Sequence, residues 1–119
     1  MGVAAMEQQF FDHCPRAMRE SVREYWLKKH ERLDRLLRTF PEDQRLMRLA
    51  IRPWRVGWDV RISLALPTGT LVSESEATSW EEGLDLAVDR LTFEIRRHRE
   101  FLRHDSAQRR KRRRAAIGG

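Results

Sequence analysis

Residues 58–82 read WDVRISLALPTGTLVSESEATSWEE, and the fold is decided there. Trp58, Val60, Ile62, Leu64 and Leu66 alternate with Asp59, Arg61, Ser63 and Ala65. A period of two sends successive side chains to opposite faces, so this segment is a strand with one buried face. Pro67-Thr68-Gly69 is a short hairpin turn in which glycine supplies a positive φ. Thr70 to Ala77 returns as the next strand, with Glu74 and Glu76 on one face. Ser79-Trp80-Glu81-Glu82 is a capping box, serine at the N-cap and glutamate three residues on, so a helix starts there.

Downstream, Leu84, Val88, Leu91, Ile95, His98 and Leu102 recur at helical spacing. Glu81, Glu82 and Asp85 lie in the first turns and Arg96 to Arg103 in the last, which suits the helix dipole. Upstream, Met47, Leu49 and Ile51 alternate with Arg48, Ala50 and Arg52, a half-buried strand, and residues 53–57 connect it to the strand at Trp58. Earlier still, Met18, Val22, Tyr25/Trp26, Leu33 and Leu36/Leu37 form a helical stripe interrupted only by Lys29, whose stem can lie along an apolar edge. Asp12-His13-Cys14-Pro15 reads as the start of that helix, and Thr39-Phe40-Pro41 ends it near Arg38. Gln8-Gln9-Phe10-Phe11 is a candidate short strand. The expected architecture is α+β in the order βαβββα, with a short or marginal first strand, both helices on one face of the sheet and polar residues on the other.

Charge divides the chain. Residues 96–114 carry ten Arg/Lys against two acids, a net of +8, while residues 1–95 carry fourteen bases against sixteen acids, a net of −2. A basic end on a near-neutral body points to a polyanionic partner, nucleic acid first and an anionic membrane surface second. The membrane reading lacks an adjacent amphipathic apolar face. Residues 105–119 are too charged and too poor in apolar groups to pack, and are expected to be a disordered basic tail behind a single domain over residues 8–104. The single cysteine, Cys14, cannot make an internal disulfide, which fits a reducing cytoplasm. The N-terminal MGVAAMEQQFF has no basic n-region or long apolar h-region, so no signal peptide is expected, and Gly2 lacks the Ser or Thr of a myristoylation motif.

VREYWLKKHERLDRL (Val22 to Leu36) resembles the first helix of ribosome hibernation-promoting factors, also called ribosome-associated inhibitors. VRISLALPTGTLVSESEATSWEEGLDLAVDRLTFEIRRHRE (Val60 to Glu100) is similar to that family's second half: a strand, a P-x-G turn, an acidic strand, then a helix ending R-R-H. FFDHCPR (Phe10 to Arg16) stands where variant members have a strand followed by aspartate and proline. The resemblance spans roughly residues 8–104. It implies a double-stranded-RNA-binding-like fold and a protein that sits in the mRNA and tRNA channel of the small ribosomal subunit, blocking initiation and protecting idle ribosomes in stress. It implies no enzyme, no cofactor, a cytoplasmic location and a monomer off the ribosome. Trp54 and Trp58 depart from the family's hairpin, and here much of the basic surface is in the tail.

The candidate RNA-binding residues are Lys28, Lys29, Arg32 and Arg35 on the first helix and Arg97, Arg99 and Arg103 on the second. The tail adds Arg109, Arg110, Lys111, Arg112, Arg113 and Arg114. Six adjacent bases repel one another unless counterions or phosphates neutralise them, which favours phosphate contact. Each helix group is also explained by simple solvation unless both lie on one side of the molecule. His13, His30, His98 and His104 have no partners at metal-ligand spacing, and no metal site is expected. Cys14 and His13, neighbours in sequence, do not face each other on a helix, and no catalytic site is expected. Trp54, Trp58 and Trp80 can either stack bases or pack in the core and hairpin. The alternative to a ribosome binder is a generic RNA-binding or protein-interaction module with a polyanion-anchoring tail.

Overall fold

The computed structural model describes residues 14–118. The candidate strand at residues 8–11 and the helix-start residues Asp12 and His13 lie outside them. After Pro15 a single 3-10 turn, Arg16–Met18, leads into helix α1, Arg19–Leu36. A second such turn, Glu42–Gln44, leads to β1, Leu46–Trp54. β2, Gly57–Leu66, β3, Gly69–Ala77, and helix α2, Trp80–Gly118, complete the chain. The strands form one antiparallel sheet in the order β1-β2-β3, with Leu49 opposite Ile62 and Ile62 opposite Ser73. This is the α+β arrangement that the alternation at 58–66 and the capping box lead to.

The sheet's inner face carries Met47, Leu49, Ile51, Val60, Ile62, Leu64 and Leu66, all buried. Against it lie Val22, Trp26, Leu33 and Leu37 from α1 and its C-terminal end, and Leu84, Ala87, Val88, Leu91 and Ile95 from α2. On β3 the inner positions are Ser73 and Ser75 rather than large apolar residues. Their hydroxyls donate to the carbonyls of Ala87 (2.8 Å) and Gly83 in the first turns of α2. Small side chains let the helix approach the strand closely. Gly83 sets that approach, because a Cβ there would come within 2.8 Å of Val60 Cγ2. Among the described residues, no helix covers the outer face of the sheet. It carries Arg52 paired with Asp59 (3.0 Å) and Arg61 paired with Glu74 (3.3 Å), the partners facing each other in register.

Both hairpins are tight. Pro67 and Thr68 alone separate β2 from β3, and Gly69 takes φ +149°, a value that glycine reaches without steric cost. The expected connection over residues 53–57 is shorter than the sequence suggests. Pairing continues to Trp54 opposite Gly57, leaving Arg55 and Val56 as a two-residue turn. Gly57 has no alternative, since a Cβ there would collide with the Ala77 carbonyl.

The largest difference from the sequence expectation is at the end of the chain. Instead of a disordered tail over 105–119, the backbone of α2 stays helical to Gly118. From Leu84 to Ile117 there is neither glycine nor proline to stop it, and arginine, lysine, alanine and glutamine are strong helix formers. Asp105 also pairs with Arg109 one turn on (3.1 Å). At 1.5 Å per residue the whole helix is about 58 Å long. The expectation weighed packing, and packing is indeed missing: residues 106–115 are all exposed.

The inward and outward positions of β2 give a direct test of this architecture. Ile62 is fully buried, and Ser63, next to it, is on the open face. Ile62→Ala should cost roughly 2–5 kcal/mol in chemical denaturation and Ser63→Ala under about 1 kcal/mol. Equal costs would contradict the strand's orientation.

Candidate nucleic-acid interface

Polar contacts tie α1 to α2. Tyr25 donates to the Asp85 carboxylate (2.8 Å), Lys29 pairs with Asp85 (3.0 Å), Arg32 pairs with Asp89 (3.0 Å), and Arg99 donates to the Leu36 carbonyl (3.5 Å). The numbers rise together on both helices, so the helices run parallel, and the end of α1 lies beside Arg99, beyond which α2 continues to Gly118. That brings the later part of the first basic group beside the second, the condition under which they can act together.

The structure then divides the expected contact residues by what holds them. Lys29 and Arg32 are interhelical ion-pair partners, and Lys29 also lies over the Tyr25 ring at 5.4 Å. Arg99 donates to one of the carbonyls that the end of α1 leaves unpaired. These three have structural work that sequence spacing does not reveal. Lys28, Arg35 and Arg103 are exposed and bridge nothing between the helices; Arg35 sits at 4.0 Å from Glu31 on its own helix. With 100° per residue, Lys28, Arg32 and Arg35 fall within about 60° of one another on the solvent side of α1. Arg96, Arg99 and Arg103 form the matching ridge on α2. Arg97 is about 160° away from Arg99 around the helix, over the Phe93 ring (5.9 Å) and near Glu94 (3.7 Å). Arg97 and Arg99 therefore cannot face one flat surface, although the sequence grouped them.

Arg38 and Arg96 belong to this exposed basic end and were not among the expected contacts. Their signal is position alone, at the C-terminal end of each helical stripe. Arg109 to Arg114 are exposed and stand on a helix, so their side chains point in all directions around its axis. About half of them can meet any one flat array of phosphates.

The remaining singled-out residues resolve into packing. Trp80 meets Tyr25 edge to face at 5.5 Å, and Trp58 packs against the core. His30 pairs with Asp34 (3.0 Å), His98 hydrogen-bonds the Thr68 hydroxyl (2.7 Å), and His104 contacts Gln108 (3.2 Å). His13 is outside the described residues. Cys14 is buried, and that burial pushes its thiol pKa up, keeping it protonated and unreactive. No helix among the described residues is long and apolar enough to cross a membrane.

The model of the family described as sigma 54 modulation protein / S30EA ribosomal protein matches residues 17–103. Among solved structures, the N-terminal domain of Protein Y from Thermus thermophilus is similar, at 25% sequence identity and a TM-score of 0.51. That match covers 65% of this chain and 81% of that one. A ribosomal subunit interface protein from Coxiella burnetii matches at 15% identity and a TM-score of 0.46, over 60% of this chain and 81% of that one. A comparison with curated proteins finds no match.

The Tyr25–Asp85 contact carries a pH signature. Burial first, then the hydrogen bond and charge of Asp85, push the Tyr25 phenol up to about 12 from 10. The folded state thus keeps a proton that the unfolded state releases above pH 10. The resulting stabilisation is complete below pH 10 and fades as the pH rises towards 12. Urea denaturation between pH 9 and 12 should show stability falling more steeply for the native chain than for Tyr25→Phe. Parallel profiles would mean that the contact contributes nothing.

Proposed function

The chain belongs to the sigma 54 modulation protein / S30EA ribosomal protein family, and on that premise we propose that it is a hibernation factor that binds the small ribosomal subunit through rRNA phosphates. The observation that carries this reading is the exposed basic ridge where the end of α1 lies beside α2, continued along α2 by Arg109–Arg114. Lys28, Arg35, Arg38, Arg96 and Arg103 offer charge along one side without a pocket for a base edge. Such a surface follows A-form RNA by its shape and phosphates rather than its sequence. Occupying the mRNA and tRNA channel would exclude initiation on idle ribosomes. Lys29, Arg32 and Arg99 tie the two helices together. In this reading the protein works in the cytoplasm of stressed or resting cells, is a monomer off the ribosome, and performs no catalysis.

Two variants test it. Lys28→Glu, Arg35→Glu and Arg103→Glu combined should keep the thermal transition, because none of the three bridges the helices. Co-sedimentation with purified small subunits at physiological salt should weaken by at least about tenfold, since each new acid opposes a phosphate. The unaltered protein, added before mRNA, should inhibit initiation in a translation reaction, and the triple variant should not. Equal affinity for subunits and bulk RNA would favour a generic polyanion-anchored module. No co-sedimentation at all would end the ribosome reading.

Removing residues 105–119 should leave the cooperative transition intact. With half of the six tail bases facing phosphate, the log–log salt slope of binding should fall by about 3; a chain wrapped by phosphates on all sides would lose up to ~5. An unchanged slope would show that the tail is not a contact.

A further inference from the structure

We propose that the tip of the β1–β2 hairpin is a stacking site for an unpaired RNA base, with Trp54 taking the base and Arg52 and Arg55 the flanking phosphates; this rests on the reading of the partner as RNA.

Of the four tryptophans, Trp26 is in the core and Trp58 and Trp80 pack against it. Trp54 is outside that cluster and 40% exposed. It stands at the last strand pair, followed by Arg55 and by Val56, which is 96% exposed. Folding alone does not account for an indole there. The guanidinium groups of Arg52 and Arg55 lie over its ring, at 5.3 and 5.7 Å from the centroid. Asp59, opposite in register, holds Arg52 in place at 3.0 Å.

The turn itself is informative. Arg55 has φ 53°, in the left-handed region that glycine or asparagine occupies at less cost. Glycine at this position would relieve the backbone but remove the second cation over the indole. Strain held at an exposed tip, together with an exposed aromatic and two cations, is the composition of a nucleobase platform. A guanidinium over an exposed ring is held more weakly than a base stacked on it. An arriving base therefore displaces one guanidinium, which is left beside the phosphate that came with the base.

The site is separate from the helix ridge. β2 runs nine residue steps from Gly57 to Leu66, about 30 Å. The ridge is at the far end, where His98 of α2 meets Thr68 of the β2–β3 turn. RNA that engages both must cross that length, with its unpaired part at the Trp54 end.

The test uses the full chain, a 12-nucleotide single-stranded RNA and a duplex of the same length, with affinity read by fluorescence anisotropy at fixed salt. Trp54→Ala should weaken single-strand binding by about tenfold and leave duplex binding unchanged, while Trp54→Phe retains most of the single-strand affinity. Unchanged thermal transitions in both variants establish that the fold is intact. Equal losses for both RNAs, or no loss for either, would overturn the stacking site while leaving the RNA reading standing; the latter result would turn the tip over to a protein partner. Failure of the unaltered protein to bind either RNA would remove both.

Discussion

The contact on which the rest depends is the close seat of α2 on β3. Ser73 and Ser75 replace the bulk that a strand's inner face normally carries, and their hydroxyls end on the carbonyls of Ala87 and Gly83. A buried hydroxyl without a partner is costly, so these bonds fix the helix in position along the strand as well as in distance. Gly83 leaves no room for any other side chain above Val60. With α2 so placed, Asp85 and Asp89 face α1, and the register between the two helices follows.

That register decides what the charges do. Had α1 packed antiparallel to α2, the bases of one helix would have met the acids of the other end to end, and no basic ridge would exist. Parallel packing places Asp85 and Asp89 against Lys29 and Arg32, and beyond them bases outnumber acids over residues 33–38 and along the rest of α2. The exposed interhelical pairs are individually weak. Their effect is on arrangement: they use two of the expected RNA contacts to direct the others outward. The family membership and the ridge are independent observations, one from sequence pattern and one from geometry.

Much of the candidate site was legible as composition and little of it as geometry. The excess of bases after residue 95 was plain in the sequence, as was the absence of spacing for metal or nucleophile chemistry. Which bases are free was not. Lys28 and Lys29 are adjacent in sequence, yet one is solvated and the other is bound to Asp85, sixty residues beyond Tyr25, which shares the same carboxylate. Arg97 and Arg99 look like one cluster and point apart. Trp54 and Trp58 look like one aromatic pair, but pairing through Trp54 opposite Gly57 puts one at the tip and the other against the core.

The sequence by itself determined the elements: a strand wherever apolar residues alternate, a helix wherever they recur at three and four, a cap at Ser79 and a turn at Gly69. Those signals are local, because they depend on backbone periods and on steric limits within a few residues. The lack of packing surface after residue 105 predicts no structure there, whereas α2 continues through it on intrinsic propensity and an i,i+4 pair. Only the tertiary structure decided the parallel run of the helices, the division of bases into supports and free charges, and the exposure of Trp54. Each of these depends on which residues meet across long stretches of chain, and side-chain contacts at that separation leave no periodic trace in the sequence.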